Sequence, residues 1–364
     1  STRITALNKM LIFDAHLDLS LNAIEWNRDL RRTAQEVREA EYGKTDLQGR
    51  GNGTVTFPEM RKAGIGICVA TQLAGCMKPA APVGSWESPH QAWAMTQAQL
   101  AWYRAMEDEG ELRQILNSTS LEKHLKEWEL DSSNTPIGYI LSLEGADSLI
   151  DISYLERAYD YGLRAVGLSH FGAGRYALGH DCNGTLPESG KALLKELGRL
   201  QMILDITHLS EPSFWQVIDT FEGPIWASHH NCRALVNDPR QLSDEQIEAL
   251  IQRGAIIGSA FDAWMLTSDW VRGESTPGQT NVRISNVVDH IDHVCQIAGN
   301  SKHAGIGTDL DGGFGTEQSP ADLNSIADIS SVATILLDRG YSESDVKSIM
   351  HQNFIRFAME SLPS

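Results

Sequence analysis

Eight short apolar runs recur along the chain, at 11–15, 65–71, 137–143, 164–169, 202–207, 224–228, 255–260 and 304–308, with longer helical patterns between most of them. This alternation limits the fold more than any other feature. Continuous runs of Ile, Val, Leu and Ala suit parallel strands covered on both faces, and parallel neighbours need a crossover, usually a helix. Helices are expected at 89–108, 152–161, 189–199, 211–220, 243–252 and 282–298. Ser210-Glu211-Pro212 and Ser243-Asp244-Glu245 mark two of the starts. There a serine can accept from the free amides of the first turn, and acids or proline suit the positions that follow. Eight βα units in 364 residues predict an α/β chain folded as a (β/α)8 TIM barrel, one catalytic domain over residues 1–364. The polar or glycine-rich stretches 27–60, 172–188 and 262–281 read as long loops over its C-terminal face.

Charge narrows the partners. With 30 Lys plus Arg against 48 Asp plus Glu, the net charge of -18 opposes nucleic-acid phosphates and anionic lipid and suits metal cations. The five cysteines, Cys68, Cys76, Cys182, Cys232 and Cys295, form no C-x-x-C pair and are odd in number, which fits a reducing compartment. No apolar run approaches the roughly 20 residues of a membrane span. A cytoplasmic bacterial protein without a membrane anchor is expected.

The ends of the runs carry the chemistry. His16 and Asp18 follow the first run in FDAHLDLS, and two residues apart on a strand they project from one face. Glu144-Gly145 follows the third, His170 the fourth, His208 the fifth in DITHLS, His229-His230 the sixth and Asp309 the eighth in GIGTDLDGG. Each alone has a structural reading: Asp18 as a helix cap, His208 as a core histidine, Asp309 as part of an Asp-Gly turn. In a barrel, however, the C-terminal strand ends surround one cavity. Carboxylates buried together are costly without a partner, and a divalent cation accommodates carboxylates and imidazoles at once. Three imidazoles and three carboxylates exceed the three protein ligands of a single catalytic zinc. Two ions about 3.5 to 4 Å apart, sharing a carboxylate, could hold a bridging hydroxide and polarise a carbonyl, which makes an amide or ester hydrolase. Zinc suits the donors, with manganese and cobalt as alternatives.

The combined pattern closely resembles the membrane (renal) dipeptidases of the amidohydrolase superfamily, from about residue 10 to 355, including TDLQGRGNG and Asn353-Phe354 in HQNFIRF. The resemblance implies two zinc ions bridged by Glu144, one held with His16 and Asp18 and the other with His208 and His229. Asp309, beside the first ion and counted with its ligands, would handle protons, and attack would come from the bridging hydroxide. His170 would contact the substrate at the scissile carbonyl. Arg240, in NDPRQLSDEQ, would grip the substrate's C-terminal carboxylate, with Arg233 the nearby alternative. The implied substrates are dipeptides, L-Xaa-L-Xaa and L-Xaa-D-Xaa, and a homodimer is compatible with the family. Of the adjacent pair, His229 rather than His230 would bind metal, because neighbouring strand residues face opposite ways. His-x-Asp in place of His-x-His, and the absence of lysine from RAVGLSH, disfavour phosphotriesterase-like and dihydroorotase-like sites. The remaining alternatives are another amidase or lactonase of the superfamily, or a catalytically silent barrel acting as an accessory binding protein.

Overall fold

The protein is described from a computed structural model, which covers residues 10–76 and 84–364. Its strands are β1 (Ile12–Leu17), β2 (Ile65–Gln72), β3 (Leu112–Gln114), β4 (Ile137–Leu143), β5 (Leu163–Gly167), β6 (Ile203–Asp205), β7 (Ile225–Trp226), β8 (Ile257–Ser259) and β9 (Ala304–Ile306). All pair in parallel, in the order β7-β6-β5-β4-β2-β1-β9-β8, with β3 beside β4. A further parallel bridge, Ala227 to Ile257, joins the end of β7 to β8. The ring thereby closes into the expected (β/α)8 barrel.

Each of the eight apolar runs holds one barrel strand, although the later strands are only two or three residues long. The ninth strand, β3, was not expected. Leu112-Arg113-Gln114 is too short and too polar to register as an apolar run, and it pairs only with the first half of β4. All six expected helices form, within two residues at each end. Their caps behave as the sequence implies: Ser243 and Gln246 bond reciprocally in a capping box, and Ser210 accepts from the amide of Ser213.

Segment 27–60 is more ordered than a plain loop, since it contains helix Ala34–Ala40 and the start of helix Phe57–Ala63. Its anchor is the buried guanidinium of Arg28. Arg28 donates to both oxygens of Glu41 at 3.0 Å, while Arg50 donates to Glu41 at 2.6 Å and to Asp46 at 2.9 Å. The TDLQGRGNG stretch is therefore tied down by bidentate ion pairs.

Side chains separate into two layers. Phe13, Ala15, Ile67, Val69, Ile140, Ala165, Ile203 and Trp226 pack together with Phe354, whose ring stacks on Phe13 at 5.1 Å. Ile12, Leu17, Ile65, Cys68 and Ala70 pack in the other cluster with the helices. Strict alternation along β1 would send His16 to the helix side with Ile12, but the β1–β2 register slips between Asp14 and Leu17. This irregularity restores His16 and Asp18 to the barrel interior. Asn353 secures the opposite end, donating to the carbonyls of Ser301 and Ala304.

Glycine is needed where β7, β8 and β9 close the ring. A Cβ on Gly307 would lie 1.7 Å from the carbonyl oxygen of Ser228, and one on Gly258 would lie 2.2 Å from the same atom. Gly307→Ala is expected to destabilise the protein by on the order of 3 kcal/mol, as overpacking against backbone does. Thermal unfolding would show a clearly lowered midpoint. An unchanged midpoint would mean that β9 can move away from Ser228 freely.

Candidate metal centre

The side chains predicted from the strand ends converge around Glu144. Glu144 follows β4 and its amide donates to the carbonyl of Gln72 on β2. The next residue, Gly145, has φ +72°, which lets the chain turn sharply past His170. One carboxylate oxygen, Oε2, lies 2.9 Å from His16 Nε2. The other, Oε1, lies 3.2 Å from His208 Nε2, 3.8 Å from His229 Nε2 and 3.2 Å from His170 Nε2. His16 Nε2 is also 3.4 Å from Asp18 Oδ2 and 3.5 Å from Asp309 Oδ1. Glu144 thus faces two separate donor groups, one on each oxygen.

Three overlapping sets have donor atoms all within 4.8 Å of one another: His16, Asp18 and Glu144; Glu144, His208 and His229; and His16, His229 and Asp309. His208 and Asp309 adopt left-handed backbone conformations, at φ 69° and 55°. Non-glycine residues rarely do so, and such conformations cluster at functional sites. Above the centre lies a cavity of about 340 Å³ lined by Asp18, Glu144, His170, His208, Arg240 and Asp309 among others. A larger cleft, about 1120 Å³, lies at the far end of the barrel beside Lys191, Lys195 and the C-terminal segment. No metal-ligating set faces it among the described residues.

Arg240 is 2% exposed. Its guanidinium donates to the carbonyl of His229 at 2.7 Å and sits 3.1 Å from His230 Nδ1. His230 therefore points away from the donor sets and braces the arginine. Asp238 accepts from the Arg240 backbone amide, and Arg233 pairs with Glu211 at 3.1 Å away from the cavity.

The membrane dipeptidase family, peptidase family M19, matches residues 2–361 of this sequence. The chain belongs to that family. Dipeptidase tcpJ of Claviceps purpurea (strain 20.1) is 30% identical over 234 residues, which make up 61% of this chain and 51% of tcpJ. The match thus spans about half of that relative's length. Among solved structures, a dipeptidase described as an M19 metallopeptidase superposes with a TM-score of 0.78 at 22% identity, covering 98% of this chain and 100% of its own. A metallopeptidase from Rhodobacter sphaeroides, liganded with a phosphinate mimic of the dipeptide L-Ala-D-Ala, superposes at 0.76 with 22% identity, covering 97% and 99%. These superpositions establish the shared barrel. Among the described residues no helix is long and apolar enough to cross a membrane.

The electrostatics of this M19 chain fit divalent cations. Burial opposes charge on His16, but Glu144 and Asp18 outweigh it and hold the imidazole well above its ordinary pKa. Burial likewise raises Asp18, and it raises Asp309 well above the carboxylate range despite the nearby His16. Burial keeps His208 and His229 well below the ordinary histidine value, with Arg240 reinforcing the effect. Neutral imidazoles are the form that binds metal. His16 Nε2 and Glu144 Oε2, although 2.9 Å apart, have no partner at hydrogen-bond geometry. A buried, acid-rich group with orphaned donor atoms lacks positive charge, which cations would supply.

Several supporting residues escaped the sequence reading. His180 places its Nδ1 3.3 Å from His208 Nδ1, and burial lowers its pKa to about 2, so it is a neutral partner. Thr71 donates to Asp18 at 2.5 Å, and Ser228 Oγ lies 2.8 Å from His229 Nδ1. Such contacts fix the orientation of candidate ligands. Asp14 accepts from the amide and hydroxyl of Thr308, binding β1 to β9. Only His180 left a usable signal: a histidine within a long segment beside the site. Thr71 and Ser228 resemble any strand residue.

Proposed function

We propose that this chain is a dinuclear metal-dependent dipeptidase, most consistent with zinc, that hydrolyses L-Xaa-L-Xaa and L-Xaa-D-Xaa dipeptides. The observation that carries this reading is the placement of Glu144, with His16 and Asp18 beside one oxygen and His208 and His229 beside the other. His16, Asp18 and Glu144 would hold one ion, with Asp309 adjacent. Glu144, His208 and His229 would hold the second. When bound, the ions supply Lewis-acid polarisation of the scissile carbonyl and a water-derived nucleophile at neutral pH. We also take the whole chain as one catalytic domain, because the residues of the site are drawn from strands β1 to β9.

The remaining steps fall to the protein's own groups. Arg240, held by the His229 carbonyl and by His230, presents a pre-oriented guanidinium to the substrate's C-terminal carboxylate. His170 is 22% exposed on the cavity wall, where its Nε2 can donate to the carbonyl oxygen as negative charge develops. Asp309 accepts a proton from the attacking water and returns it to the leaving amine. A fixed cation and a fixed hydrolytic centre leave room for a single residue after the cleaved bond.

The test compares a free dipeptide, its C-terminal amide and a tripeptide on wild type and on Arg240→Ala. Wild type should cleave the dipeptide and largely spare the other two. Arg240→Ala should raise KM for the dipeptide by roughly tenfold or more, the scale of a lost hydrogen bond to a charged group. Equal cleavage of amide and acid by wild type would refute the clamp and favour a general amidase.

A further inference from the structure

The cavity over the candidate metal centre contains a second arginine. Arg272, in the segment after β8, places its guanidinium carbon 4.4 Å over the ring of Trp264. Trp264 is itself fixed, donating from Nε1 to Asp262 at 3.0 Å, and Asp262 in turn accepts from Gln318 at 2.8 Å. All four residues line the same cavity as Glu144 and Arg240. Gln318 and Asp262 thus hold the indole, and the indole holds the arginine. The chain of contacts fixes a cation at the mouth of the site.

The charge of Arg272 is unspent. The chain has 48 acidic residues against 30 basic ones, and Arg28, Arg50, Arg104, Arg113, Arg199 and Arg233 all pair with carboxylates. Arg272 forms no ion pair among the described residues. Asp262, its nearest acidic neighbour in this chain of contacts, has its two oxygens engaged by Trp264 and Gln318 and makes no ion pair with the guanidinium. Stacking occupies one face of a guanidinium and leaves its N–H edge free for a planar anion.

We propose that Arg272 reads a carboxylate on the side chain of the dipeptide's second residue, so that substrates ending in Glu or Asp are preferred. This rests on the dipeptidase reading above. The assignment to the second residue follows from the layout of the cavity. Arg240, the proposed clamp for the terminal carboxylate, and Arg272 lie on connected parts of the wall: Gln241, next to Arg240, donates from its side chain to the carbonyl of Met265 at 2.7 Å, and Met265 follows the Trp264 that carries Arg272. Another part of the wall, formed by Leu21, Trp26 and Leu73, packs as an apolar cluster and suits an uncharged first side chain.

The experiment measures kcat/KM for L-Ala-L-Ala, L-Ala-L-Glu and L-Ala-L-Lys with metal-loaded wild type, Arg272→Ala and Arg272→Glu. Arg272 is exposed, so neither substitution disturbs the core. Wild type should prefer the Glu dipeptide over Ala-Ala by about tenfold or more, through KM, as expected for a charged hydrogen bond. Arg272→Ala should abolish the preference, and Arg272→Glu should transfer it to the Lys dipeptide. Equal values for Ala-Glu and Ala-Ala in wild type would overturn the proposal. So would an equal rise in KM for both dipeptides in Arg272→Ala, which would make Arg272 a holder of the chain-terminal carboxylate instead. Failure to cleave any dipeptide would defeat the dipeptidase reading itself.

Discussion

Asp309→Asn should lose roughly 10²- to 10⁴-fold in kcat, the range that positioned acid–base groups contribute, while keeping most of its divalent metal. Asparagine preserves the shape and one oxygen of the side chain but cannot accept and return a proton. The position is tightly specified. Asp309 has φ 55°, its amide donates to the carbonyl of His16, and a Cβ on Gly312 would collide with its Oδ1 at 2.1 Å. Asp311 provides the control. Its carboxylate accepts from the amides of Thr54 and Val55 and from the Thr54 hydroxyl, with Arg28 3.6 Å away. It organises the 27–60 segment, so Asp311→Asn should lower thermal stability more than it alters kcat. Near-normal turnover by Asp309→Asn with its metal retained would remove the proton-transfer role.

The barrel was readable because each of the eight ring strands overlaps an apolar run, and two of the expected crossover helices, Glu211–Thr220 and Asp244–Gln252, start at serine caps. What the pattern concealed has physical causes. β3 has three residues and contributes one buried side chain, Leu112, too little to produce a signal. Helix Ser118–Leu130 buries only Leu121, His124 and Trp128, so its apolar stripe is thin. Segment 27–60 looked like a loop because its buried apolar residues, among them Leu30, Val55, Phe57 and Met60, are scattered, and much of its order comes from ion pairs around Glu41. Tertiary partners of this kind, such as Arg28 with Glu41, are not encoded by local periodicity.

The site was more legible than the fold's details. His16, Asp18, Glu144, His170, His208, His229, Asp309 and Arg240 all line or underlie one cavity, as strand-end position in a barrel requires. His229 belongs to two of the three donor sets, whereas its neighbour His230 turns the other way and meets Arg240. The irregularity in β1 was not legible. Alternation counted from Phe13 would have turned His16 outward, and only the observed β1–β2 register explains its inward direction. The Gln318–Asp262–Trp264–Arg272 chain joins residues more than 50 positions apart and could not be read from one sequence.

Glu144→Ala should have the largest effect on metal content. Its two oxygens face different donor sets, so its loss removes a ligand from each proposed ion at once and leaves His16 beside Asp18 and Asp309 without the central carboxylate. Substituting a ligand of one ion only, as in Asp18→Ala, should leave the other donor set intact. The central claim, a pair of ions sharing Glu144, is tested most directly by elemental analysis of the protein after saturation with zinc and removal of loosely bound metal. The account predicts about two equivalents per chain for wild type and a sharp fall for Glu144→Ala. A wild-type value that stays at one equivalent under saturation, or a Glu144→Ala protein that still holds two, would contradict it.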